Sequence, residues 1–519
     1  MVAEVVSGMV HGIQGELITV QTDISDGLPV FSMIGHLSPE TKEARERVRT
    51  ALKNTGFHLP PRRISVNLSP AEMRKNGTCC DLAIAIGLFT AMGMLPPEAS
   101  RGILFLGELA LDGTLSPLAG VLPILKAASE AGYRRCVLPA KNKREASILP
   151  EMEVWGFHCL KDVFSYLSGN SGAVCEEEDD VDSIISEEER EIGLPSDRIP
   201  DLSEVRGQHM AKRAIEIAVA GFHNLFLDGP PGSGKSMLAS CVPGLMPDMS
   251  REEMIETTMI YSVKGLLQSG VPYVKKRPYR APSTSVTPVG LFGGGRTPKP
   301  GEASLAHHGV LFLDEFPEFK KEVVEMFRVP LEEHKITQIR NGRTMVFPAD
   351  FIFIAAANPC PCGYYPDRRH CSCTWKQIAG YQGKVSGPIL DRLDLFVRCD
   401  KLSYHALTGE KEGETSAEVK KRIQRVWEIQ ERRFCDSPVR FNGRMGQREV
   451  QKFCTLDEES RHFMEEAFDR FRLTGRSYHR MLKTSRTIAD LEGEEKVHLR
   501  HLKEALLYRR MVPMSQVPR

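Results

Sequence analysis

Residues 229–236 read Gly229-Pro230-Pro231-Gly232-Ser233-Gly234-Lys235-Ser236, a complete GxxxxGK[ST] loop. Such a loop works only between a buried parallel strand and the start of a helix, where backbone N–H groups converge on phosphate oxygens. The flanks meet that demand. Asn224-Leu225-Phe226-Leu227 suits a buried strand, and Ser236-Met237-Leu238-Ala239-Ser240 favours a helix. Further on, Leu311-Phe312-Leu313-Asp314-Glu315-Phe316 is a second apolar strand, ending in two carboxylates. The two motifs together predict a nucleoside triphosphate site. Lys235 is expected on the outer phosphates, the Ser236 hydroxyl and Asp314 on Mg²⁺, and Glu315 on the attacking water.

At 519 residues the chain is too long for one core, so several domains are expected. Lysine plus arginine equals aspartate plus glutamate at 68 each, so no global basic field announces nucleic acid. The longest uncharged stretch, Leu82 to Pro97, is shorter than a bilayer span and reads as a buried helix. No secretory signal is visible at the N-terminus. Thirteen cysteines beside a nucleotide site argue for reduced thiols and a cytoplasmic location, with no membrane partner.

Glu176 to Glu191 carries ten acidic residues and one arginine, a density that repels itself and offers little to bury. Residues 168–200 are therefore read as a solvated linker. Before it, residues 1–167 alternate apolar runs with helical patterns, as an α/β domain would. Thr41 to Lys53 and Asp81 to Met94 are the expected helices, and Arg63 to Leu68 and Ile103 to Leu106 the expected strands. Residues 201–405 carry the nucleotide motifs. Residues 406–519 are helical in pattern, with helices expected at 417–433, 457–471 and 478–491.

The central region resembles an AAA+ ATPase. Ile352-Phe353-Ile354-Ala355-Ala356-Ala357-Asn358 is a buried strand with a polar end, and the resemblance assigns Asn358 to orient the water. Gly387-Pro388-Ile389-Leu390-Asp391-Arg392-Leu393-Asp394 resembles the arginine-finger turn of magnesium-chelatase and MCM-type motors. Arg392 would then reach a neighbouring subunit's nucleotide. Arg476 resembles the second sensor at the head of a lid helix, with Arg480 its alternative. Arg277-Pro278-Tyr279-Arg280-Ala281-Pro282, Gly301-Glu302-Ala303-Ser304-Leu305-Ala306-His307, Asn358-Pro359-Cys360-Pro361-Cys362-Gly363-Tyr364 and Arg486-Thr487-Ile488-Ala489-Asp490-Leu491 look like the ComM (YifB) family. That resemblance runs nearly end to end. It implies a homo-hexameric ATP-dependent helicase that drives branch migration of single-stranded and branched DNA beside recombination proteins. Family members usually carry two histidines after Pro282, where this chain has Ser283 and Thr284.

Cys360, Cys362, Cys371 and Cys373 form a C-x-C…C-x-C set that suits four-coordinate Zn²⁺ in an insertion at 358–375. His370 is a possible substitute ligand, and disulfides are the competing reading. Pro70 to Ala85 and Gly107 to Ala140 resemble the proteolytic domain of Lon, which uses a Ser–Lys dyad. Cys79 falls at the serine position and Leu122 at the lysine position, with Lys126 one turn further on, so the resemblance implies a degenerate protease. The expected fold class is thus α/β: an AAA+ P-loop ATPase core with a helical lid, preceded by a Lon-protease-like α/β domain. Lys275, Lys276, Arg277, Arg280, Arg340 and Arg343 are the candidate basic contacts for DNA. Two other functions compete with a DNA motor: a chelatase-type subunit remodelling a protein partner, and an ATP-dependent protease.

Overall fold

Alternation builds the first sheet. In the strand Arg63–Ser69 the side chains of Ile64, Val66 and Leu68 are buried, while Ser65 and Asn67 on the other face are only partly covered. The computed structural model describes residues 2–169, 199–267, 272–340, 342–401 and 413–509. In it this strand joins a seven-stranded mixed sheet ordered Phe31–Ile34, Arg63–Ser69, Gln14–Ser25, Ala3–His11, Ile103–Phe105, Arg135–Pro139, Glu153–Phe157. The helix expected at Asp81 to Met94 forms over Asp81–Ala91, and the one expected at Thr41 to Lys53 forms over Pro39–Asn54. The run Leu82 to Phe89 has no polar residue, so that helix is buried all round. The long hairpin Ala3–His11 and Gln14–Ser25 is absent from the sequence reading, because Glu, Ser, Thr and Gln dilute its apolar alternation.

The second sheet is wholly parallel and ordered Tyr279–Arg280, Val310–Leu313, Ile352–Ala357, Leu225–Asp228, Leu395–Arg398. Ile352–Ala357, buried at every position, is thus inserted between the strand feeding the phosphate loop and the strand feeding Asp314. Parallel strands end at one edge, and ligands bind outside the carboxyl ends of such sheets. That edge collects Gly229, Asn358 and Asp314.

Beyond the core lie the helices Ser416–Arg433, Gln447–Phe453, Glu458–Arg470, Gly475–Leu491 and Leu499–Leu507. Three correspond to the expected helices. Ile423, Met481 and Ile488 share one buried core with Ile215 and Val219 of the helix His209–Gly221. At the centre of this lid the buried carboxylate of Asp490 takes hydrogen bonds from Arg433 (2.5 and 2.6 Å), Arg486 (2.9 and 3.2 Å) and the Asn442 amide (2.8 Å). This network explains why Arg486 and Asp490 stand together in the sequence.

The N-terminal domain docks on the helix Arg251–Lys264. Gly120 N–H donates to the Ser262 carbonyl (3.0 Å), the Ser262 hydroxyl donates to the buried Glu145 carboxylate, and Arg251 donates to the Ile148 carbonyl (3.1 Å). The acidic run Glu176 to Glu191 and the expected 405/406 boundary lie outside the described residues. Among the described residues, no helix is long and apolar enough to cross a membrane.

Removing one partner from a buried ion pair strands the other charges, at a cost of about 3–5 kcal/mol. Asp490→Ala is therefore expected to destabilise the lid by that amount. Calorimetric or denaturant unfolding against the parent chain measures it.

Candidate nucleotide site and its surroundings

The strand Leu225–Asp228 delivers the chain into the loop, and the helix Lys235–Leu245 leaves it. Gly234 heads that helix with φ 89°, a left-handed conformation that a side chain would strain. Lys235 is 8 % exposed and folds back over the loop. Its ammonium donates to the Gly229 carbonyl (2.7 Å), the Pro230 carbonyl (3.0 Å) and Asn358 Oδ1 (3.3 Å). Burial lowers its pKa, and the carboxylates of Asp314, Asp228 and Glu315 offset part of that effect. The Ser236 hydroxyl donates to Asp314 Oδ2 (2.6 Å). A hydroxyl and a carboxylate in contact at a phosphate loop are the hard oxygen donors that fit Mg²⁺. Asp314 Oδ1 accepts from the Glu315 N–H (2.8 Å), and Glu315 is an exposed residue with φ 50°. Lys235, Ser236, Asp314 and Asn358 therefore meet directly, with Glu315 adjoining in the chain.

Sequence reasoning missed a prop behind the loop. Gln208 donates through Nε2 to the Ser233 carbonyl (3.0 Å) and the Asp400 carbonyl (2.7 Å). It ties the phosphate loop to the segment after the edge strand Leu395–Arg398. A lone glutamine before a helix gives no motif by which to find it.

The two candidate arginines lie elsewhere. Arg392 is buried and donates to the Arg328 carbonyl (2.8 Å), the Pro388 carbonyl (2.7 Å) and Glu332 (2.7 Å). None of its partners belongs to its own chain's phosphate loop. Arg476 is 62 % exposed and stands 3.7 Å from the other oxygen of the same Glu332. Arg480, the alternative, is paired with the buried carboxylate of Asp394.

The four cysteines converge. Cys360, Cys362 and Cys371 sulfurs lie 3.4, 3.6 and 3.8 Å apart, and all four ligand atoms fall within 4.8 Å of one another. A tetrahedron with ~2.3 Å metal–sulfur bonds has edges of about 3.8 Å. Backbone hydrogen bonding from Tyr364 holds the Cys362 thiol down at about 6. The four thiols are free in this structure, with sulfurs well beyond the ~2.05 Å of a disulfide bond. His370 is exposed, bound through Nδ1 to Asp367 (2.8 Å), and does not belong to the converging set. A second cluster, Glu256 with His307 and His308, is a poor cation site. His307 Nδ1 accepts from the Asp350 N–H (3.1 Å), which places the ring proton on the Nε2 that faces Glu256.

Models of magnesium-chelatase ChlI match the chain in three blocks. These are subunit ChlI of Mg-chelatase over 20–142, magnesium chelatase subunit ChlI over 201–407, and its C-terminal model over 413–509. Competence protein ComM of Haemophilus influenzae is 40 % identical over 509 residues, which cover 97 % of each chain. The chain belongs to the ComM family of magnesium-chelatase-like AAA+ ATPases. Another relative, protein YifB of Salmonella typhimurium, is 37 % identical over 503 residues, 96 % of this chain and 95 % of that protein. Lon protease 2 of Bacillus subtilis is 29 % identical over 103 residues, 20 % of this chain and 18 % of that one. An AAA+ core preceded by a Lon-like domain is thus the fold, and family membership brings ATP and Mg²⁺ to the site just described.

In this ComM-family chain the two dyad positions of the Lon-like domain are not brought together as a pair. Leu122 is buried, its N–H bound to Glu145 (3.0 Å), and among the described residues no hydrogen bond joins Cys79 to Lys126. One buried lysine escaped the sequence reading: Lys75, which donates to the Pro70 carbonyl and is lowered by burial. Burial pushes Cys79 up to about 11 and Cys80 up to about 12, so neither forms a thiolate near neutrality.

Two of the basic candidates are internal braces. Arg277 is 5 % exposed, bound to Glu253 (2.8 Å) and to the Pro247 and His308 carbonyls. Arg280 is paired with Glu302 (2.6 Å). Arg343 is partly covered and donates to the Glu72 carbonyl of the N-terminal domain (3.1 Å). Lys275, Lys276 and Arg340 remain exposed.

Lys235→Ala removes the cation from the phosphate loop and is expected to abolish nucleotide binding, whereas Glu315→Gln is expected to bind ATP and turn it over at least ~10²-fold more slowly. Equilibrium binding and phosphate release separate the two outcomes. The N-terminal domain is expected to cleave neither casein nor peptides, and Cys79 to resist alkylation by iodoacetamide at pH 7.5 in the folded protein. Mass spectrometry of the alkylated chain checks the second point.

Proposed function

We propose that the chain is an ATP-driven motor on DNA, a homo-hexameric ring in the cytosol that unwinds and migrates branched recombination intermediates. The observation that carries this reading is the near-full-length likeness to a competence protein, joined to a basic hairpin wired to the nucleotide site. The antiparallel strands Lys335–Arg340 and Arg343–Pro348 precede the strand Ile352–Ala357, which Asn358 follows directly. Ile339 is 70 % exposed beside Arg340. A shift at Asn358 on hydrolysis would pass along that strand to the hairpin. Backbone contact through Arg340, Lys275 and Lys276 would position DNA without reading its sequence.

Ser236 and Asp314 would hold Mg²⁺, which would supply positive charge to the outer phosphates during hydrolysis. Lys235 would neutralise the developing phosphate charge, Glu315 would polarise the attacking water, and Asn358 would orient it. Arg392 would act on the neighbouring subunit's nucleotide once the ring forms, with Arg476 contributing from the lid. Cys360, Cys362, Cys371 and Cys373 would hold one structural Zn²⁺, because four thiolates leave no open position for water.

The ChlI likeness favours one alternative, a subunit that remodels a protein partner. Single-stranded DNA is expected to stimulate ATP hydrolysis, and forked DNA to be unwound only with ATP. Binding is expected to weaken steeply with salt as counterions are released. A verified hexamer whose hydrolysis ignores DNA and which displaces no strand from forks or four-way junctions would favour the alternative. Arg392→Ala is expected to keep ATP binding and lose about 10²-fold in turnover, less than the 10³–10⁵ of GTPase fingers. Mixing it with Lys235→Ala subunits should restore activity where an intact arginine faces an intact loop.

A further inference from the structure

The cysteine knot lies against the phosphate loop at both ends of one short segment. At the start, Asn358 Oδ1 takes the hydrogen bond from Lys235 (3.3 Å). At the other end, Gly363 has φ 83°, and a Cβ there would stand 2.4 Å from Pro231 Cδ and 2.7 Å from Cγ. Only glycine allows that approach. Between the two contacts sit Cys360 and Cys362, half of the four-thiol set.

Other contacts hold the segment as well, among them the Tyr365 N–H on Cys360 Sγ (3.4 Å). Gln382 Nε2 donates to the Pro359 carbonyl (3.0 Å), and the Gly363 N–H closes a turn on the Cys360 carbonyl (2.9 Å). On one flank Asn358 and Pro359 line a cavity of about 280 Å³ with Asp228, Tyr381 and Arg398. The local apolar core is small: Cys360, Cys371 and Ile378, flanked by Tyr365 and the other two cysteines. A core of that size contributes little burial, so a metal bonded to all four sulfurs would add substantially to the order of the two turns.

We infer that the metal-loaded four-cysteine knot is a working part of the nucleotide site, setting Pro231 and Asn358 so that metal and nucleotide bind cooperatively. This rests on the zinc reading given above. Coupling between two ligands is reciprocal: the factor by which metal tightens nucleotide is the factor by which nucleotide tightens metal. Gly363 and Pro231 are the positioning residues that carry it.

The test uses the full chain under reducing conditions, with Mg²⁺ and a fluorescent non-hydrolysable ATP analogue. Metal-free protein is expected to bind the analogue about tenfold more weakly than protein reloaded with one equivalent of Zn²⁺, within the usual 5–150-fold range of such couplings. Competition against a chromophoric zinc chelator is expected to show the analogue tightening zinc by the same factor. Gly363→Ala is expected to retain its zinc and lose about tenfold in analogue affinity. Should that variant misfold, Pro231→Ala removes the contacting ring without adding an atom. It is expected to keep zinc while the coupling factor falls towards one. Should the metal-free chain unfold, the chelator competition and Pro231→Ala decide on loaded protein. Equal analogue affinity with and without zinc in folded protein, or zinc affinity blind to the analogue, overturns the coupling and leaves the zinc reading standing. Protein that takes up no metal by elemental analysis overturns the zinc reading, and the coupling with it.

Discussion

The insertion of Ile352–Ala357 between the phosphate-loop strand and the acidic strand governs the geometry of the site. Had those two strands been neighbours, the Asp314 carboxylate and the loop would have met with nothing between them. Instead the intervening strand carries a neutral amide, Asn358, to within 3.3 Å of the Lys235 ammonium. The insertion also places the segments on either side of that strand. The cysteine turns begin directly after it and have to lie across the phosphate loop, and the basic hairpin comes directly before it.

Much of the nucleotide site was legible, because each of its parts is a short string with a mechanical reason for its spacing. The two carboxylates at the end of an apolar run predict a strand edge, and the phosphate loop predicts its own strand and helix. Four cysteines within fourteen residues predict convergence. What escaped were single residues whose roles depend on distant partners. Gln208 props Ser233 from 25 positions away, and Glu332 meets Arg392 across 60. The charges of Arg277 and Arg280 looked available from sequence alone, since nothing local reveals that Glu253 and Glu302 neutralise them. The hairpin at the N-terminus was missed for a different reason: its polar residues mask the period of two.

The Lon-like domain is joined to the ATPase core through buried polar groups. The segment around Gly120 and Leu122, where the protease would keep its lysine, now rests on the helix Arg251–Lys264 through Glu145 and Ser262. A buried carboxylate that accepts from a backbone N–H on one side and a hydroxyl on the other is a rigid joint. Its surroundings raise the Glu145 pKa through burial, with the Ser262 and Leu122 hydrogen bonds opposing. That joint fastens the Lon-like domain to the ATPase core.

Glu332 divides its two oxygens between unequal arginines. One bond, to the buried Arg392, is short and joined by two carbonyl contacts. The other reaches the exposed Arg476 at 3.7 Å, and exposed pairs of that kind hold with only about 0–1 kcal/mol. The carboxylate therefore behaves as a slipping clutch. The outer contact to Arg476 can break and re-form at the cost of thermal energy alone, while the arginine turn beneath keeps its setting. Loss of the outer arginine therefore leaves the alignment of the inner one undisturbed.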